Sequence, residues 1–518
     1  MADDEGFETV SKKGRKTSIN RGGFSSPAEL FVNACEMSIF TVPDGLGSLT
    51  RENRDTILNR LRAMPADQRV LPSAANRRIM SLLDAFASLL VSQREKEIVS
   101  VAVSKVSEQH YIFWVSASSP ENRLQDAKAH MEELWKLLRD LRTKVPVIIR
   151  KRGKTPDETE VTVDEQWDIY HSCYTFSRER LKKHFDKARE RGMCIALQNL
   201  RDDAATYKLS DRRLAFVQSL IDLFRLYELY EQGDPNPEVQ RKNAYTMIRQ
   251  CEYVNIAKSK LEGKSVKWLD TLLPQCYDYA KSDGTTFERK LDKMLSLDSA
   301  IEHLLLLPES GSMGHVLDST TIQVRTVNPS FAILHYDFAE DKLIQDAMSE
   351  DLPMPYDDFI FKLQDLRTPS GHPVIRKEHV TFPVHAECAL LAHIDSLSTR
   401  TFNYFGVSKL CCVGCWLYFE AYRKIEAKST PPRYYVRGTH SRQYPWVAPP
   451  FHSHREATLR TMEPIARDFF CGLIPKDVRT RSFSESGSAS LIDHQVKKNW
   501  PDYDERSKKL PPIPPPGK

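Results

Sequence analysis

Four of the chain's ten cysteines, Cys388, Cys411, Cys412 and Cys415, fall within 28 residues, and His385 and Glu387 stand just ahead of the first. Such a knot of thiols, imidazole and carboxylate restricts the local fold to elements that can gather these groups. The run Val384–Ile394 carries Ala389, Leu390, Leu391 and Ile394, a pattern that suits a buried helix, with Pro383 as its boundary. His385 and Glu387 are therefore expected at a helix N-terminus. Asn403–Leu410 reads as a short strand running into Cys411-Cys412-Val413-Gly414-Cys415, which reads as the opening of a second helix.

Cys412 and Cys415 are three residues apart, so on one helical turn both sulfurs project the same way. Helix N-termini carry unpaired N–H groups and partial positive charge, which favour the thiolate that a metal needs. Two thiolates and one imidazole make three zinc ligands with the fourth position open, the layout of a catalytic site rather than a closed structural one. Zinc with an open position makes water acidic near neutral pH. A carboxylate two residues from the ligand histidine is then placed to take a proton from that water and pass it to a leaving amine.

The pattern His385-Ala386-Glu387, then Cys412-x-x-Cys415 beginning 27 positions after the histidine, resembles the H-x-E…P-C-x-x-C signature of zinc-dependent cytidine and nucleotide deaminases. The flanks VHAECALLAHI and GVSKLCCVGC, with the downstream stretch Tyr434–His440 and Tyr444-Pro445-Trp446, resemble a fungal branch of nucleic-acid/nucleotide deaminases related to bacterial toxin deaminases. The likeness covers roughly residues 312–475. It implies a cytidine deaminase-like α/β/α three-layer domain, with Zn2+ on His385, Cys412 and Cys415 and Glu387 as proton shuttle. One departure stands out: Cys411 occupies the position usually held by proline, where its thiol is either a competing ligand or a small packed hydrophobe.

Other groups nearby are weighed against blander roles. Cys388 beside Glu387 invites a nucleophile's role with His385, but no orienting acid is evident and His385 has a better use. His393 is expected as a core or surface histidine. His440, His452 and His454 fit no rigid element that would make a second metal cluster. Arg433, Arg437 and Arg442 alternate with Tyr434, Tyr435, Tyr444 and Trp446. Either aromatics and arginines here meet bases and phosphates, with Arg437, Tyr444 and Trp446 as the substrate-binding candidates, or the segment is a strand with packed tyrosines and solvated arginines.

The rest of the chain reads as α+β overall, with a mainly helical region over 27–311. Leu124, Met131, Leu134, Leu138 and Leu141 form one helical stripe behind Ser119-Pro120-Glu121. Leu214, Val217, Ile221 and Phe224 form another, stopped by Gly233-Asp234-Pro235-Asn236-Pro237. Met131 and Trp135 are expected in the core. Two strand pairs interrupt the helices: Ile98–Val103 with Tyr111–Val115, and Thr320–Val324 with Phe331–Tyr336. Residues 178–191 carry seven Lys/Arg against three acids and read as a solvated helix face. Residues 1–26 and the Ser/Pro-rich 476–518 read as disordered tails, the second a polyproline ligand in form.

The 74 Lys+Arg against 70 Asp+Glu leave a net +4, too little to demand a polyanionic partner. No stretch is apolar enough to span a membrane, the first eight residues are too acidic for a signal peptide, and ten cysteines do not make a disulfide scaffold. An intracellular, cytoplasmic or nuclear protein is expected, acting on a nucleotide or single-stranded nucleic acid, with a protein partner for the helical region or the proline-rich tail. The rival reading is a non-catalytic helical interaction protein with a zinc-stabilised module.

Overall fold

The computed structural model describes residues 57, 59 and 76–473, apart from 93–96, 108, 119–120, 152–162, 191, 262–265, 277–285, 310–313, 320, 329–330, 336–378, 398–399, 427–433, 439–445 and 451. The expected tails, the Ser119-Pro120 cap, Arg433, His440, Arg442 and Tyr444 lie outside these residues. No helix among the described residues is long and apolar enough to cross a membrane.

The fold is mostly helical around a small mixed sheet. Its helices are α1 (Asn76–Leu89), α2 (Glu121–Lys151), α3 (Val163–Phe176), α4 (Arg178–Glu190), α5 (Met193–Asp202), α6 (Asp211–Gln232), α7 (Pro237–Lys260), α8 (Lys267–Cys276), α9 (Phe287–Glu309), α10 (Gly314–Ser319), α11 (Ala386–Asp395), α12 (Val413–Glu426) and α13 (Arg455–Leu473). The end signals read in the sequence operate as expected. The Ser210 side chain caps α6 by accepting from Arg213 N, and Gly233 ends it with φ 71°. Asn236 then caps α7 ahead of Pro237 in its first turn.

Strands β1 (Val99–Ser107) and β2 (His110–Ala117) form the expected antiparallel hairpin, in register from Val99 opposite Ala117. β3 (Thr321–Val327) joins the outer edge of β2 in parallel. The two short strands β6 (Arg400–Thr401) and β7 (Gly406–Val407) pair antiparallel with the other edge of β1. The expected pairing of the 320–324 segment with 331–336 does not form. β4 (Phe331–His335) pairs instead with β5 (His379–Pro383), in a separate two-stranded sheet. The parallel β2–β3 pairing needs a long crossover, and the helices between residues 121 and 319 supply it.

Successive strand residues face opposite sides of a sheet, and here each side meets its own core. Val99, Val101, Val103, Tyr111, Phe113 and Val115 pack with the helical layer of α1, α2 and α9. Phe86, Phe113 and Trp135 stack there with ring centroids 5.3–6.4 Å apart. Met131 and Trp135 are buried as expected. Ala102, Ile112 and Trp114 face the other way, into a second core with residues of α11, α12 and α13. Helices thus cover both faces of the sheet. The hairpin at its centre comes from the N-terminal side of residue 311, while β3, β6 and β7 come from the C-terminal side.

The two sides are latched together around β7. The Asp84 carboxylate on α1 accepts the Tyr404 hydroxyl at 2.9 Å and the Val407 N–H at 3.3 Å. Gly406 lies so close to α1 that a Cβ there would sit 2.2 Å from the Leu83 carbonyl carbon.

Candidate metal centre

Each ligand-bearing segment enters its helix directly from an ordered connection. His385 follows buried Val384 and forms the N-cap of α11, with extended backbone (φ −64°, ψ 146°). Its carbonyl accepts the first helical bond from Ala389 N at 2.9 Å. Its ring makes no capping bond, so it is available to the second segment. That segment leaves β7 and is pinned where Cys411 N donates to Gly438 O at 3.0 Å. Cys412 lies just before α12, and its sulfur accepts the Cys415 N–H at 3.4 Å.

The result is a compact three-ligand group. His385 Nδ1 lies 3.3 Å from Cys412 Sγ and 3.2 Å from Cys415 Sγ, and all three donor atoms fall within 4.8 Å of one another. Among the described residues this is the one His/Cys/Asp/Glu cluster that can hold a metal ion. Both sulfurs are buried and the imidazole is half-buried. Burial raises the Cys412 thiol, but the Cys415 hydrogen bond and the His385 ring outweigh it and bring the group down to about 6. Cys415 goes the other way, pushed well up by burial and by Cys388 and Cys412. Two sulfurs sharing protons beside an imidazole form a set that a thiophilic cation fits by displacing those protons.

Glu387 sits in the first turn of α11, 2% exposed, and its Oε2 has no hydrogen-bond partner. A buried carboxylate oxygen without a partner costs several kcal/mol, about the price of a lost strong hydrogen bond, and such an atom beside a metal-ligand set is a mark of chemistry rather than of packing.

The remaining candidates divide. Trp446 is fully buried behind the ligand turn: a Cβ on Gly414 would come 2.6 Å from its ring, and Tyr418 lies 5.5 Å away. The indole also hydrogen-bonds the buried Cys388 thiol, which burial raises. Tyr434 and Tyr435 point inward as well, and the Arg423 guanidinium lies 4.8 Å above the Tyr435 ring. For these residues the packed-strand alternative holds. Arg437 is half-buried, next to the Gly438 that pins Cys411. His393 stacks 4.7 Å from Trp114, away from the ligand cluster, and is lowered by burial and by Arg325. The basic run on α4 is paired in part, with Lys182 and Arg189 reaching Glu231 on α6.

One polar network was not anticipated. Asp395, at the end of α11, lies 3.1 Å from the buried His452 Nε2 and accepts Ser453 Oγ at 2.6 Å and the Tyr422 hydroxyl. His452 Nδ1 is 2.6 Å from the Tyr418 hydroxyl on α12. His452 and His454 both approach Asp395, but as its partners and not as a metal cluster. The only sequence signal was the pair of histidines opening a helix.

Comparison with known families bears on this geometry. Residues 384–450 match the OTT_1508-like deaminase family model. All four site residues, and Arg437, Tyr444 and Trp446, fall in this deaminase segment. No curated protein and no solved structure matches the chain. The deaminase segment begins at the residue before His385 and holds the complete ligand set.

Proposed function

We propose that the chain is a zinc-dependent hydrolytic deaminase acting on a nucleobase in a nucleotide or single-stranded nucleic acid. The observation that carries this is the buried, unpartnered Oε2 of Glu387 two residues from His385, in a segment of deaminase sequence. His385, Cys412 and Cys415 fit zinc by donor type, two sulfurs and one imidazole nitrogen. Bound there, zinc supplies a Lewis acid that makes a water nucleophilic near neutral pH. Glu387 takes a proton from the attacking water and returns it to the departing amine, so that ammonia leaves. Burial favours this role, because a carboxylate shielded from solvent exchanges its proton with the reactants rather than with bulk water.

The helices on both faces of the sheet support a cytidine deaminase-like three-layer fold for this region. Arg437 and Tyr444 are the residues we assign to substrate contact; the buried Trp446 instead backs the ligand turn. Seven unpaired cysteines among the described residues support a reducing cytoplasmic or nuclear setting. The sequence flanks carry the fungal-branch reading.

The test is zinc content and ammonia release, measured on the wild type and Glu387→Ala with cytosine and adenine nucleotides and oligonucleotides. Zinc retained in Glu387→Ala with ammonia release lost is the expected result. Full activity in that variant overturns the shuttle. Zinc bound with no turnover by the wild type favours the non-catalytic module.

A further inference from the structure

The thiol that replaces the family's proline touches the shuttle carboxylate. Cys411 is 1% exposed, Glu387 is 2% exposed, and the Cys411 thiol is hydrogen-bonded to the Glu387 side chain. The backbone at this point is fixed independently, by Cys411 N donating to Gly438 O at 3.0 Å. Proline has no N–H and could make neither bond. The departure from the family pattern therefore adds two contacts, one that anchors the loop and one that reaches the carboxylate.

We propose that Cys411 is a positioning residue for Glu387: its S–H holds one side of the carboxylate and leaves Oε2 turned to the reacting groups. This rests on the deaminase reading. The choice of donor has a physical logic. An N–H or O–H donor strongly favours the charged carboxylate and weakens it as a base. A thiol is a weak donor; it restricts rotation of the carboxylate with less loss of basicity. Cys388, the other thiol outside the ligand set, is engaged with Cys415 and Trp446 and serves as the control.

The experiment uses the full-length zinc-loaded protein, with Cys411→Ala, Cys411→Ser, Cys388→Ala and Glu387→Gln. Two readouts are taken: steady-state ammonia release from a substrate the wild type turns over, and the infrared S–H stretch, assigned to Cys411 by its loss in Cys411→Ala. Cys411→Ala is expected to lower kcat about 10- to 100-fold, as for groups that orient a catalytic residue. KM and zinc content should stay near wild type, Cys411→Ser should recover most of the loss, and Cys388→Ala should leave the Cys411 band in place. In Glu387→Gln the band is expected to move to higher frequency as the charged acceptor is removed. A band unmoved in Glu387→Gln overturns the proposal, and so does wild-type kcat in Cys411→Ala. If the wild type releases no ammonia from any nucleobase tested, the deaminase reading fails on its own, and the infrared shift still decides the Cys411–Glu387 contact.

Discussion

At the scale of single residues, two kinds of buried polar group need separate treatment. Cys412 joins His385 in the ligand set, so Cys412→Ser is expected to abolish stoichiometric zinc binding, measured by elemental analysis of protein never exposed to chelator; retained zinc would remove Cys412 from the set. Asp298, on α9, is the opposite case: fully buried, with Oδ1 unpartnered and no metal ligand nearby. Burial, reinforced by Glu252, raises it to about 8, against the Asn255 hydrogen bond. An acid whose folded pKa lies above its unfolded value of about 3.9 costs stability as pH climbs from the unfolded to the folded value. Asp298→Asn should therefore raise the melting temperature, and by more at pH 8 than at pH 5. An equal or reversed gain at the two values would show that Asp298 is ionised in the fold. Sequence revealed the metal ligands and not Asp298, for a physical reason. Histidine, glutamate and cysteines at fixed local spacing are informative before folding, whereas an aspartate on a helix becomes unusual only when tertiary packing closes over it.

At the scale of elements, the two ligand helices are held by a polar chain and by aromatic packing. Burial alone would raise the Asp395 carboxyl, but His452, Ser453 and Tyr422 outweigh it and hold the group well below the usual carboxylate range. Its folded pKa is thus depressed, so its contribution is fully present above the unfolded value of about 3.9 and is lost as pH falls below it. His452→Ala leaves α11, α12 and the start of α13 without their shared imidazole and should cost about 1.5–3 kcal/mol, read by urea denaturation at neutral pH. A much smaller cost would mean that Ser453 and Tyr422 suffice to hold Asp395. Trp446→Ala empties the space behind Gly414 and should cost about 3–5 kcal/mol, with zinc affinity falling because the Cys412–Cys415 turn loses its backing. Unchanged zinc affinity in a destabilised variant would separate the core from the ligand turn. These elements were only partly legible beforehand. The helix starts at His385 and Cys412 followed from local pattern, while Trp446 looked equally suited to stacking on a base, since an aromatic residue in sequence does not declare which side of a strand it will occupy.

At the scale of the whole molecule, the likeness to deaminases stops near residue 312, but the sheet does not. β6 and β7 have no partner among the described strands except β1. The connection to the ligand cysteines is stitched to β1 by Phe402 N to Val103 O at 2.8 Å, Ser408 N to Val99 O at 2.9 Å, and Val99 N to Ser408 Oγ at 2.9 Å. A buried polar chain from Trp114 through Ser104 to Thr401 adds to this, at 2.9 and 2.6 Å. Hairpin residues Ala102, Ile112 and Trp114 also complete the core beneath α11 and α12. Sequence displayed the hairpin clearly and could not display its partners, because strand pairing across some three hundred residues leaves no local periodicity. A fragment spanning 312–518 would expose that core and leave the backbone groups of β6 and β7 unpaired, each an uncompensated cost in a buried setting. Such a fragment is expected to be aggregated or unfolded by circular dichroism and to bind no stoichiometric zinc. Supplying the 76–311 segment in trans should recover zinc binding if the two pieces reassociate through β1. A folded, zinc-loaded 312–518 fragment would show instead that the deaminase region closes its own sheet, and the helical segment would then be an appended domain rather than part of the scaffold that aligns His385 with Cys412 and Cys415.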